Sequence, residues 1–131
     1  MIFNSENLLT GIDIIDEQHQ ALFRLINNLD KFKESNESFR QALLELQTYV
    51  SNHFKTEEDY MRYMSYPEYL HHKSCHEKFA QEYKSLLAKL SQNIQPVHLG
   101  EEFIQFIENW VQEHYANEDV KMAEFIKANS K

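Results

Sequence analysis

Seven side chains in this sequence, His19, His53, Glu57, His72, His76, His114 and Asp119, are of types that bind transition metals. His53 and Glu57 are four residues apart, and so are His72 and His76. On a helix that spacing sets two side chains one turn apart on one face, so each pair converges on one point. All but Asp119 occupy places in apolar stripes where Leu or Phe would be expected. A carboxylate buried there without a partner costs several kcal/mol or takes up a proton, and a buried imidazole still needs hydrogen bonds. A metal satisfies all of them together. Five imidazoles and a carboxylate exceed what one four-coordinate zinc takes, which points to two metals sharing carboxylate bridges, with Asp119 as the second bridge.

Four helical segments must position these groups. The first is expected from about Asp16 to Phe32, with Asp16 as N-cap and Ile15, His19, Leu22, Phe23, Ile26 and Leu29 on one face. The second starts at Ser38, paired with Gln41 as a capping box, and runs to about Met64 through Leu43, Leu46, Val50, His53, Glu57 and Met61. Pro67 suits the first turn of the third, whose stripe carries Tyr69, His72, His76, Phe79, Tyr83, Leu86 and Leu90. Ser91–Gly100, with Pro96, is expected to connect it to a fourth bearing Phe103, Phe106, Ile107, Trp110, His114 and Met122. Four such stripes are buried together only around a shared centre, which predicts an all-α, up-down-up-down four-helix bundle with a di-metal site in its core.

One spacing conflicts with a regular helix. His114 and Asp119 are five residues apart, about 140° around an α-helix, so an unbroken helix would not aim both at one metal pair. A π-type bulge or local break is predicted between Tyr115 and Glu118.

Bulk properties agree with a helical reading. The chain has 131 residues, two glycines and two prolines, whereas sandwiches and barrels need a turn signal about every 8–12 residues. One core is expected, with residues 1–131 as a single domain. A formal net charge of -8 without a basic stripe excludes nucleic acid as a partner. No apolar run is long enough to span a membrane, and Met1–Thr10, with Glu6, does not resemble a signal peptide, so a soluble cytoplasmic protein is expected. The single cysteine, Cys75, rules out an intramolecular disulfide, and the chain is taken as a monomer.

The ordered set resembles the hemerythrins, and specifically the single-domain bacteriohemerythrins, from about Gly11 to Phe125. It reads His19 after Ile-Asp-Glu-Gln, His53-x-x-x-Glu57, Tyr66-Pro67 leading to His72-x-x-x-His76, and Trp110-x-x-x-His114-x-x-x-x-Asp119. The resemblance implies two iron ions, one completed by His72, His76 and His114 and the other held by His19 and His53. Glu57, Asp119 and an oxo or hydroxo group would bridge this di-iron centre, and the iron with fewer ligands would keep an open position for dioxygen. Reversible oxygen binding for transport or storage is therefore the implied function. The alternatives are a di-iron enzyme acting on peroxide or oxygen, and an oxygen or redox sensor working through a separate partner. The enzyme is disfavoured because no two of the proposed ligands form a Glu-x-x-His motif and the site lacks the carboxylate-rich shell of di-iron oxidases.

Phe23, Phe54, Trp110 and Val111 are candidates to line the oxygen pocket with apolar surface. Tyr115 departs from the family pattern, which more often has an aliphatic residue there, and its hydroxyl would either donate a hydrogen bond to the bound ligand or admit protons and hasten oxidation of the iron. Other reactive residues are given structural roles. Glu58 is expected in solvent, Cys75 partly buried and inert, His71 and His98 on the surface, and Tyr60, Tyr63, Tyr66 and Tyr69 in packing.

Overall fold

A computed structural model describes residues 10–31, 36–92 and 96–129. Helix α1 spans Asp13–Asn27 and passes into a 3₁₀ turn at Leu29–Lys31. Helices α2 (Asn36–Tyr63), α3 (Tyr69–Ser91) and α4 (Pro96–His114) follow, and a π-helix at Tyr115–Asp119 joins α4 to α5 (Val120–Asn129). The last three form one helical stretch, so the chain packs as four rods, as the stripes predicted. The π-helix falls on the segment where five-residue spacing demanded one.

Helix starts differ from the expectations in instructive ways. Helix α1 begins three residues before Asp16, after Ile12, which makes no side-chain cap. The Asp16 carboxylate instead reaches back to accept from Thr10 N at 2.8 Å, Thr10 Oγ1 at 2.7 Å and Gly11 N at 3.0 Å. It ties down the entering chain and sits near the positive end of the helix dipole. Gly11 has φ +83°, a conformation that strains any residue with a Cβ, so glycine suits this entry. Ser38 is not a cap either: α2 already includes it, and Gln41 donates to Glu37 Oε1 at 3.4 Å. The residues just before Asn36 lie outside the described set, as do Phe32 and the side chain of His98.

The turn from α2 to α3 decides how the site closes. Ser65 adopts φ +56°, Tyr66 N donates to Met61 O at 2.9 Å, and Ser65 N donates to Arg62 O at 3.2 Å. This is a Schellman motif, and Tyr66 joins Met61 in one buried apolar cluster beside it. Pro67 lies in the following turn, ahead of α3, rather than in its first helical turn. Pro96 opens α4 as its first residue, where a missing N–H is harmless, and Gly100 is buried within that helix. The expected connection is accordingly shorter than Ser91–Gly100.

Neighbouring helices run antiparallel. Tyr83 on α3 donates its hydroxyl to Leu43 O on α2 at 2.7 Å, and its ring meets Phe103 of α4 at 4.8 Å. Apolar packing forms two clusters. The larger includes Leu22, Phe39, Leu43, Phe79, Phe103 and Ile107, and the smaller gathers Ile15, Met61, Tyr66, Met122 and Ile126. The predicted ligands occupy the layer between them. Among the described residues no helix is long and apolar enough to cross a membrane.

Candidate metal centre

Each rod delivers part of the site: α1 His19, α2 His53 and Glu57, α3 His72 and His76, and the last rod His114 and Asp119. All seven are buried, and Glu57 and Asp119 are 0% exposed. Their donor atoms fall into two groups sharing both carboxylates. His72, His76 and His114 form one group with Glu57 and Asp119, while His19 and His53 form the other with the same pair.

The carboxylate oxygens divide accordingly. Glu57 Oε1 faces His72 Nε2 at 3.3 Å and His76 Nε2 at 3.2 Å, whereas its Oε2 faces His53 Nε2 at 3.0 Å and His19 Nε2 at 3.4 Å. Asp119 Oδ1 lies 3.0 Å from His72 Nε2 and 3.1 Å from His114 Nε2, and Oδ2 lies 3.1 Å from His19 Nε2. Each carboxylate thus offers one oxygen to each histidine group. That arrangement suits two cations bridged twice.

Several of these contacts do not satisfy the atoms as hydrogen bonds. His19 Nε2, His53 Nε2, Glu57 Oε2 and both Asp119 oxygens are buried with no hydrogen-bond partner of acceptable geometry. His114 Nε2 also stands 3.1 Å from His72 Nε2 and 3.2 Å from His76 Nε2. A proton on any ring nitrogen satisfies few of these neighbours, whereas a cation accepts all their lone pairs. The donor set of imidazole and carboxylate fits iron, zinc or manganese.

A second layer of side chains turns the ring nitrogens inward. The Gln18 carboxamide oxygen accepts from His53 Nδ1 at 2.6 Å, while its Nε2 donates to Thr56 Oγ1 at 3.2 Å. Glu58 Oε2 accepts from His76 Nδ1 at 2.8 Å. With Nδ1 donating outward, each Nε2 presents its lone pair to the centre. Glu58 is therefore not a solvated residue as expected: its side chain is 21% exposed and engaged. Stripe and spacing do not mark Gln18, and its adjacency to His19 is the one sequence signal for it.

Without a cation, protons must balance the two carboxylates. Burial pulls His19 and His72 down, but the close, negatively charged carboxylates of Asp119 and Glu57 outweigh it and raise them to about 9 and about 10. His76 is raised too, by Glu57 and Glu58 against burial, whereas burial holds His114 below its usual value. Burial pushes Glu57 and Asp119 upward, yet the surrounding imidazoles keep both below the usual carboxylate range. The centre favours ionised carboxylates with positive charge packed around them.

Aromatic rings seal the two sides differently. Phe54 stacks on His76 at 3.7 Å and Trp110 on His114 at 4.3 Å, so both cover the three-histidine side. Tyr115 stacks on His19 at 3.8 Å, and Phe23 lies 5.6 Å from Tyr115. Val111 is buried in the larger apolar cluster. Burial, reinforced by Asp119 and Glu57, raises the Tyr115 hydroxyl well above its usual value, so it remains a neutral donor.

A bundle of four antiparallel rods enclosing a buried set of imidazoles and carboxylates that could hold metal ions defines a helical metal-binding protein. Residues 10–126 match the Hemerythrin HHE cation binding domain model, and the chain belongs to the hemerythrin family. It is 36% identical over 111 residues to a hemerythrin-like protein of Naegleria gruberi, covering 85% of this chain and 82% of that one. Identity to a bacteriohemerythrin of Clostridium acetobutylicum is 28%, over 83% of this chain and 88% of the relative. A wild-type hemerythrin crystal structure superposes with a TM-score of 0.84 at 23% identity, covering 96% of this chain and 97% of that one, and so shares the fold.

Proposed function

We propose that this chain holds two iron ions and binds dioxygen reversibly as a carrier or store. The observation that carries the reading is the division of Glu57 and Asp119, one oxygen of each toward each histidine group. His72, His76 and His114 would hold one iron, His19 and His53 the other, and the two carboxylates would bridge them. The iron pair, when bound, supplies the electrons that reversible dioxygen binding requires. Family membership supports iron and oxygen, since geometry alone would also suit other cations.

The chain's own residues set the conditions for reversibility. Two histidines against three leave the His19/His53 side with fewer protein donors, and so with room for a small ligand. Phe23 and the Tyr115 ring cover that side and limit water, while the Tyr115 hydroxyl, held neutral, offers one proton for a hydrogen bond. Gln18 fixes the His53 ring and Glu58 the His76 ring, so neither needs to reorient as a ligand enters or leaves. With two carboxylates rather than a carboxylate-rich shell, the site provides little negative charge to stabilise highly oxidised iron, which favours release of oxygen over its consumption.

The test is to measure iron per chain, reduce the protein anaerobically and follow its visible spectrum through cycles of air and argon. Two irons per chain and a colour change that reverses over many cycles are expected. Collapse to a stable ferric form that turns over peroxide would make the protein an enzyme instead.

A further inference from the structure

We propose that His71, Cys75 and Glu118 form a second, outer metal site for a borderline divalent cation of the zinc or cobalt class. His71 and Cys75 stand four apart on α3, and Glu118 reaches them from the π-helix. Their donor atoms all lie within 4.8 Å of one another. His71 Nε2 is 2.8 Å from Glu118 Oε1 and 3.8 Å from Cys75 Sγ. Tetrahedral bonds of zinc length to nitrogen, oxygen and sulfur place such atoms about 3.4–3.6 Å apart. To take a cation the His71–Glu118 pair opens by about 0.6 Å and the His71–Cys75 pair closes by about 0.2 Å, shifts within reach of side-chain rotation.

The surroundings suit a cation that keeps an open position. Cys75 and Glu118 line an open surface cavity of about 390 Å³ whose wall also includes Trp110 and His114. His71 is 61% exposed, which leaves its ring space to shift, while Glu118 is 15% exposed. Thiolate and carboxylate together neutralise a divalent charge, and imidazole and thiolate select borderline cations over calcium or magnesium. Binding exchanges the Cys75 thiol proton, which leaves to solvent, for the cation.

The site is separate from the buried centre although it lies against it. Each outer residue precedes a core residue by one position: His71 before His72, Cys75 before His76, Glu118 before Asp119. On α3 neighbouring residues point about 100° apart, so the outer set cannot share an ion with the inner one. The competing reading is a plain His71–Glu118 ion pair with Cys75 as bystander.

The experiment titrates Co²⁺ under argon into protein already loaded with iron. Because Cys75 is the chain's single cysteine, a thiolate-to-cobalt absorption band in the near ultraviolet reports this site alone. One cobalt per chain with that band is expected, displaced by Zn²⁺. Cys75→Ser should abolish the band, and His71→Asn and Glu118→Gln should each weaken cobalt binding about tenfold or more, as loss of a direct ligand costs at least what loss of an outer partner does. Core iron measured in the same samples checks that each variant is folded. Absence of the band in the unsubstituted protein, or a binding midpoint unchanged in either His71→Asn or Glu118→Gln, overturns the proposal.

Discussion

Replacing Glu58 tests whether the outer hydrogen bonds control metal retention. Its carboxylate accepts from His76 Nδ1 at 2.8 Å, while His76 Nε2 points inward to Glu57 Oε1 at 3.2 Å. Glu58→Gln keeps an acceptor but removes its charge. Charge-assisted hydrogen bonds are roughly twice as strong as neutral ones, a difference of about 1 kcal/mol, and the 21% exposure of Glu58 argues against a larger figure. That energy corresponds to about fivefold weaker retention of the iron proposed for the three-histidine group. Glu58→Ala also frees the ring to rotate and should cost about tenfold to a hundredfold. The assay is chelator competition at pH 7, reading iron remaining per chain. Gln18→Leu serves as the paired variant, since it unseats His53 and should release the other iron first. Retention within about twofold of the unsubstituted protein in Glu58→Ala would refute the reasoning, for the ring would then be held by packing against Phe54 alone.

Two further outcomes follow from the same geometry. Tyr115→Phe keeps the ring on His19 and removes one donor worth about 0.5–1.5 kcal/mol, so dioxygen release should quicken by about two- to twelvefold in stopped-flow measurements; an unchanged rate would leave Tyr115 with packing alone. His19 and His72, raised to about 9 and about 10, stabilise the metal-free protein fully below about pH 6.5, and this stability fades as pH rises through those values. The Tm of the metal-free form should therefore fall between about pH 6.5 and 10 while that of the iron-loaded form stays nearly flat, and parallel slopes would contradict the proton-for-metal exchange.

Much of this site was legible because helical geometry converts spacing into direction. His53 with Glu57 and His72 with His76 announced shared faces, and the five-residue gap from His114 to Asp119 announced the π-helix that is found there. Glu58 escaped because a helical wheel records where Cα–Cβ bonds point, not how far a long side chain bends back to a ring edge one helix away. Asp16 misled for a different reason: an acid just before an apolar run is the mark of an N-cap, yet a carboxylate reaching back from within the first turn looks the same in sequence. Ser38 had the right neighbours for a cap, but the helix begins before it. Pro96 signals a loop or the first turn of a helix equally, and the sequence around it does not choose. Iron and dioxygen are not spelled by spacing at all, since several cations accept the same donors.

The π-helix also bears on how this chain is compared with its kin. A π turn contains one residue more than the α turn it replaces and absorbs the surplus locally, so Met122, Ala123 and Ile126 still face inward beyond it. Removing one residue from within the turn would leave His114 and Asp119 as an ordinary i, i+4 pair, about 40° apart and still aimed together. Loss of one residue in this short stretch is thus nearly silent for the ligand pair, whereas an added residue would turn the two about 240° apart. A relative one residue shorter here would keep both ligands, so helical phase marks the pair better than a fixed gap does.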